Sequence, residues 1–215
     1  MKEQEIIIED IDRKRILSGL GYDRANPPSK RFERKLDQLI DAAPRTVYTG
    51  HVETKIIDRQ IESVITRAGT IKSINFAALA IPAEKVIFGL ATAGTQMDDF
   101  LYDCKDMVDS IIADAIGSVV VEQGVDMFCR MMREEYGQYV SLPFSPGYCD
   151  YPLTEQETVL KPLGKTPLGV SWHPVSFVMT PAKTISFVLA AGDHPLQTNP
   201  CILCQLKNCR MKRSA

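Results

Sequence analysis

The sequence predicts a single α+β domain, and three observations carry that prediction. Strand-like, β-branched segments lead the first half of the chain, and the longest helical pattern follows in the middle, at 97–136. Late in the chain, 175–179 and 184–190 are typical of a hairpin joined around 180–183. Strands and helices that are grouped in this way, rather than alternating regularly, are typical of α+β domains.

The N-terminal part is predicted to hold one strand and two helices. Residues 5–9 place three isoleucines between acidic residues, which favours a short strand. A helix is predicted over 12–20, and a second one over 30–43 has Ser29 as its N-cap. Pro44 ends the second helix, because the residue before a proline is pushed out of the helical region.

The middle of the chain passes from strand-like to helical patterns. Residues 46–57 are rich in β-branched side chains and predict a strand or hairpin, and the apolar stretch 85–90 leads through a glycine turn into a helix. Over 97–136, apolar residues recur at helical spacing. This pattern indicates two helices with a break near Asp106 or Gly124.

Composition and charge exclude several classes of protein. The 215 residues are 45% hydrophobic and 24% charged, a globular balance that argues against a disordered chain. A formal net charge of −2 is not that of a broadly basic nucleic-acid binder. No apolar run reaches the roughly 18 residues of a transmembrane helix, and the first residues do not form a secretory signal. We therefore expect a cytoplasmic protein that binds neither nucleic acid nor membrane.

Three of the six cysteines cluster near the C-terminus. Cys201 and Cys204 have the C-x₂-C spacing with which two sulfurs can bind one metal ion, and Cys209 is a third candidate ligand. The fourth position has four candidates: His194, Cys149, a small molecule or open coordination. The spacing fits an iron–sulfur cluster and zinc equally, and a reduced tail without metal is the alternative interpretation.

The placement of these cysteines also bears on domain organisation. They lie among basic side chains at the end of the chain, after the last predicted strand. We therefore predict a folded domain over 1–193 and an appended, Cys-containing basic tail over 194–215.

Two further features are candidates for ligand binding. Pro146-Gly147 favours a type II β-turn, in which proline presets the first φ and glycine takes the positive second one. Such a turn fixes Ser145 and Tyr148 at its ends. Glu122 lies beside the apolar stripe of the central helix, where a carboxylate can bind an ammonium group. A purely structural turn and a carboxylate at the solvent edge are the alternatives, and phosphate-loop, dinucleotide and hydrolase motifs are absent from the sequence.

Several stretches occur together in an order that resembles a known family. They are residues 114–122, 144–152, Gln156, 169–170 and 179–186. The resemblance is to the reactivation domain of cobalamin-dependent methionine synthase, in the stand-alone form that accompanies corrinoid proteins in some bacteria. It spans nearly the whole chain, and its most distinctive parts are the Pro-Gly-Tyr turn and the Pro-x-Lys-Thr sequence at 181–184.

The resemblance implies a fold and a function. The fold is a single α+β domain with a curved antiparallel sheet flanked by helices. The function is an accessory role in the reductive reactivation and remethylation of a cobalamin (corrinoid) methyltransferase, with S-adenosylmethionine as methyl donor. The protein would be a subunit or activator of that enzyme, and would position cofactors rather than supply an acid or base. Its partners would be a cobalamin-binding or methionine synthase subunit and an electron donor such as a flavoprotein or ferredoxin.

Position by position, the resemblance assigns ligand contacts to Glu122 and to the turn at 145–148. Two departures bear on the ligand. A pair of tyrosines that the methionine synthases have after the last strand finds no counterpart near Ala190 and Ala191. The family has an arginine five residues before the tyrosine, which pairs with the carboxylate of S-adenosylmethionine, and this chain has Pro143 there. Loss of a charge-assisted contact costs about 1.5–3 kcal/mol. The alternative is therefore a metal- or redox-binding accessory protein that uses the C-terminal cysteines and has lost the S-adenosylmethionine site.

Overall fold

A computed structural model describes residues 1–136 and 139–196 as a sheet with helices on both faces. The strands are β1 (Lys2–Ile7), β2 (Thr46–Gln60), β3 (Ser63–Thr66), β4 (Thr70–Lys72), β5 (Lys85–Thr92), β6 (Ser171–Trp172), β7 (Met179–Thr180) and β8 (Thr184–Ala191). The α-helices are α1 (Arg13–Gly19), α2 (Lys30–Ala42), α3 (Ile74–Leu79), α4 (Gly94–Asp103), α5 (Met107–Glu135) and α6 (Gln156–Leu160).

A six-stranded antiparallel sheet forms the frame, in the order β4-β3-β2-β5-β8 with β1 beside β2. The 15-residue β2 has two neighbours along one edge, because β1 pairs with its beginning and β3 with its end. The β2–β3 register shifts between Ile56 and Asp58, and such a shift bends a strand and increases its twist. The predicted α+β fold, with a curved antiparallel sheet flanked by helices, is confirmed.

Each face of the sheet buries its own hydrophobic core. Side chains alternate across a strand, so Ile87 and Ala91 of β5 belong to one core, while Val86 and Phe88 belong to the other. The first core also takes side chains from α1, α2, α4 and α5 and is termed the α5 layer. The second takes side chains from α3 and α6 and is termed the α6 layer.

The central helical pattern forms two helices, as predicted. The break between them lies near Asp106, which is one of the two positions that the sequence indicated. Asp106 is the N-cap of α5, where its carboxylate accepts hydrogen bonds from the backbone N–H groups of Val108 and Asp109. Gly124 lies inside α5, where an added Cβ would come within 2.5 Å of Val47 Cγ1, so glycine lets the helix pack closely on β2. Among the helices of the described residues, none has the length and apolarity to cross a membrane.

The predicted late hairpin is wrong. β8 pairs with β5 along its whole length, whereas β7 forms a short ribbon with β6. The segment before β7 turns instead of extending, since Phe177 has a φ of 59° and its N–H donates to the carbonyl of His173. Its β-branched residues resembled a strand in the sequence, but the local turn takes up the backbone hydrogen bonds that a hairpin would have used.

Candidate functional site

The predicted Pro-Gly turn forms at the edge of the α6 layer. The N–H of Tyr148 donates to the carbonyl of Ser145 at 3.1 Å, with Pro146 and Gly147 at the two central positions. Gly147 has a φ of 92°, the positive value that the third position of a type II turn requires. The Tyr148 side chain remains 49% exposed, so the turn presents an aromatic ring at the surface.

The residues on either side of the turn fix it to the core. Phe144 exchanges backbone hydrogen bonds with Val188 of β8, at 3.0 and 2.9 Å, which adds a bridge to the sheet edge. The Phe144 ring is buried and stacks between Phe76 and Tyr151, with centroids 5.8 Å away on each side. The position of the turn is thus set by aromatic packing beneath it.

Asp150 fastens the end of the turn to the start of α3. Its carboxylate accepts hydrogen bonds from Ser73 Oγ at 2.7 Å and from Asn75 Nδ2 at 2.6 Å, and from the backbone N–H groups of Ile74 and Asn75. Burial by itself would raise the pKa of Asp150, but the hydrogen bonds from Asn75 and Ser73 outweigh it and hold that pKa below its usual range. The carboxylate therefore stays ionised at neutral pH and holds two segments together.

Glu122 lies in the other layer. It is an exposed residue of α5 and borders a groove of about 920 Å³ between α1 and α5, which Arg15 also lines. Arg15 and Glu122 attract each other electrostatically. The structure thus brings Ser145, Pro146, Gly147 and Tyr148 together in one turn, and places Glu122 in the α5 layer with Arg15 beside it.

A second cleft, of about 370 Å³, adjoins Pro143. It is termed the α5 cleft, and it is lined by Asp12, Arg15, Gln123, Asp126, Met127, Cys129, Arg130, Arg133, Leu142 and Pro143. Three arginines and two aspartates give these side chains a net charge of +1 when all are ionised. Position 143 carries no charge itself, but α5 brings arginines to the same cleft.

Arg15 binds the two acidic side chains of the α5 cleft. Its Nη1 lies 2.7 Å from Asp126 Oδ2, and its Nε lies 3.6 Å from Asp12 Oδ2. The hydrogen bond to Asp126 is the main reason that the pKa of Arg15 is raised. Gln123 ties the same region to α5, since its Oε1 accepts from the Asp12 N–H at 3.0 Å and its Nε2 donates to the carbonyl of Asp10 at 2.9 Å.

The other two arginines of the cleft are the residues that sequence reasoning missed. Arg130 and Arg133 are three residues apart on α5, so they share one face of the helix. With the described residues they form neither an ion pair nor a side-chain hydrogen bond. The sequence shows that both arginines lie off the apolar stripe of the helix. That they lie near Pro143 depends on the tertiary fold.

A polar cluster around His51 joins β1, β2 and the end of α5. His51 is 4% exposed, and neither ring nitrogen has a hydrogen-bond partner among the described residues. Burial, followed by the charge of Lys2, lowers the pKa of His51 and keeps the ring neutral at pH 7. Burial would raise the pKa of Glu53, but hydrogen bonds from Tyr136 and Lys2 outweigh it and lower that pKa. Lys2 pairs with Glu53 of β2 at 3.3 Å and with Glu135 of α5 at 3.4 Å, so the cluster links the N-terminal strand to both elements.

The predicted metal ligands Cys201, Cys204 and Cys209 lie outside the described residues, so the metal site stays a prediction, as does the boundary between 193 and 194. Of the two side chains that are candidates for the fourth ligand, Cys149 follows the turn with a φ of 51° and is half-buried, and His194 is exposed. Within 1–136 and 139–196, no group of three or more His, Cys, Asp or Glu side chains is arranged to hold a metal ion.

Comparison with known proteins gives a structural match. No family model and no curated protein matches the chain. Among solved structures, the crystal structure of the MetH reactivation domain bound to AdoHcy matches with a TM-score of 0.62 and 13% sequence identity, over 89% of this chain and 78% of that chain. At this identity the likeness is one of structure rather than of sequence: the chain has the fold of the MetH reactivation domain.

Proposed function

We propose that this protein is an accessory module for the reductive reactivation and remethylation of a cobalamin (corrinoid) methyltransferase, with S-adenosylmethionine as methyl donor. The observation that carries the proposal is the fold likeness to a reactivation domain whose structure contains AdoHcy. AdoHcy is what S-adenosylmethionine becomes after it gives up its methyl group. The likeness supports a role in activating cobalamin methyltransferases in general, and the local chemistry of this chain supports the more specific ligand.

The chemistry of the candidate site fits an S-adenosyl ligand. Such a ligand has a purine at one end and a zwitterionic amino acid at the other. The half-exposed ring of Tyr148 offers a face on which a purine can stack. The backbone at Gly147 is uncrowded, since an added Cβ would meet only Leu153, at 3.8 Å. Charged side chains of both signs in the α5 cleft suit the amino-acid end.

The residues of this chain would bind and orient rather than react. A turn held by Phe144 and Asp150 keeps Tyr148 in one place, which lowers the entropy cost of orienting a ligand against a partner protein. Methyl donation is the chemistry that the bound S-adenosylmethionine supplies. Cobalamin would be carried by a cobalamin-binding or methionine synthase subunit, and the electron would come from a flavoprotein or ferredoxin.

The test is a pair of titrations of the full chain by calorimetry, one with S-adenosylmethionine and one with a corrinoid-loaded methyltransferase that lacks a reactivation domain. We expect both to bind. Tyr148→Ala should weaken the binding of S-adenosylmethionine about five- to 150-fold, as expected for loss of stacking worth about 1–3 kcal/mol. Tyr102→Ala is the matched control, because Tyr102 is 86% exposed on α4. Binding of neither titrant would disprove the proposed function.

A further inference from the structure

We propose that Arg130 and Arg133 form a carboxylate subsite in the α5 cleft, which binds the amino-acid end of the S-adenosyl ligand. The inference rests on the proposed function, since that function supplies the ligand. It assigns a specific role to two residues that lie outside the turn at 145–148 and that line the same cleft as Pro143.

The geometry of α5 places both guanidinium groups at one cleft. Residues three apart on a helix are surface neighbours, and both arginines line the cavity beside Pro143. A guanidinium carries five N–H donors in a planar fork that matches the two oxygens of a carboxylate. Two such groups at one opening can bind a carboxylate from two sides.

The charges of the cleft favour an anionic group next to Arg130 and Arg133. Asp126 and Asp12 already pair with Arg15, whereas Arg130 and Arg133 have no acidic partner among the described residues. A carboxylate bound between the two arginines would give each of these cations a charged partner. Arg133 is also half-buried, and a partly desolvated charge gains more from pairing than an exposed one does.

The remaining lining suits the rest of an amino-acid end. Met127, Leu142 and Pro143 add apolar surface, against which methylene groups and sulfur can pack. A carboxylate has about four acceptor positions, so Asp126 can accept a ligand ammonium while it remains paired with Arg15. The cleft therefore combines acceptors for an ammonium, donors for a carboxylate and an apolar wall between them.

The experiment measures the affinity of four proteins for three probes by calorimetry. The proteins are the full chain, Arg130→Gln, Arg133→Gln and Arg67→Gln, the last being a charge-matched control in the exposed β3–β4 turn. The probes are AdoHcy, its analogue without the carboxylate but with the amine retained, and inorganic phosphate. Thermal unfolding of each variant is measured as well, because Arg133 lies in the last turn of α5, where a cation also interacts with the helix dipole.

We expect each α5 variant to bind AdoHcy about ten- to hundredfold more weakly than the full chain, and Arg67→Gln to bind it unchanged. The decarboxylated analogue should bind the α5 variants and the full chain equally. If the α5 variants keep full affinity for AdoHcy, the subsite is disproved while the proposed function stands. If the full chain binds phosphate but not AdoHcy, the cleft is an anion site of another kind, and both the subsite and the S-adenosyl ligand are disproved.

Discussion

The two faces of the sheet treat their polar groups differently. In the α6 layer, polar groups at and next to the turn at 145–148 are hydrogen-bonded: the N–H groups of Gly147 and Tyr148 have backbone acceptors, and Asp150 accepts four hydrogen bonds from the start of α3. In the α5 layer, the cleft beside Pro143 keeps Arg130 and Arg133 without a charged partner in the described chain. The polar groups around the turn are thus held in place by hydrogen bonds, whereas the two arginines of the α5 cleft can still form ion pairs with a ligand.

This difference indicates that the hydrogen-bonded groups position the turn and that the two arginines bind a ligand. A group whose hydrogen bonds are already made contributes mainly to the stability and shape of its surroundings. A cation without a partner contributes little to stability but can form new charge-assisted bonds with a ligand. Substitutions of Phe144 and Asp150, which hold the turn in place, should therefore reduce the free energy of unfolding, whereas substitutions of the α5 arginines should mainly reduce affinity for the ligand.

The largest expected effect comes from Phe144→Ala. The ring is fully buried between Phe76 and Tyr151, so its removal should lower the free energy of unfolding by about 3–5 kcal/mol, through lost packing and a cavity. Guanidinium unfolding followed by circular dichroism measures the change. Tyr102→Ala, on the exposed side of α4, should change it by less than about 0.5 kcal/mol. A Phe144→Ala protein as stable as the parent would show that the turn does not depend on the aromatic stack.

A smaller and pH-dependent effect is expected for Asp150→Ala. The carboxylate caps α3, and loss of such a cap costs about 0.5–2 kcal/mol at neutral pH. Its pKa is lower in the folded protein than its ordinary value of 3.8, so its contribution is complete above that value and is lost as the pH falls through the lower folded pKa. Urea unfolding of parent and variant between pH 7 and pH 2 should therefore give curves that converge at the acid end. A constant difference across that range would contradict the role of the ionised form.

Sequence reasoning predicted those parts of the fold that local rules determine. Ser29 caps α2 by accepting from the N–H of Phe32, as expected of a serine before a helical pattern. The Pro-Gly turn likewise follows from the φ preferences of its two central residues. The curved sheet came from the family resemblance, because neither spacing nor composition specifies how strands pair.

The sequence could not specify contacts that depend on distant pairing. The β-branched residues before β7 looked like the first strand of a hairpin, but β8 pairs with β5, almost a hundred positions earlier in the chain. The α5 cleft escaped prediction for the same reason, because it joins Asp12, Arg130 and Pro143 only after α1 and α5 have packed together. The placement of Glu122 beside Arg15 is also a result of that packing.

The smallest expected effect gives the sharpest contrast between the two layers. Arg130→Gln removes an exposed cation that has no partner in the described chain, so the free energy of unfolding should stay within about 0.5 kcal/mol of the parent. Arg15→Gln, in the same cleft, breaks the 2.7 Å pair with Asp126 and should lower it by up to about 1 kcal/mol, the usual range for a half-exposed ion pair. Urea unfolding at low and high salt distinguishes the two, because only the Arg15 effect should shrink as salt screens the pair. A large loss of stability in Arg130→Gln would mean that this arginine supports the fold, and the contrast between Phe144 and Asp150, which hold the turn, and the ligand-binding arginines of α5 would then fail.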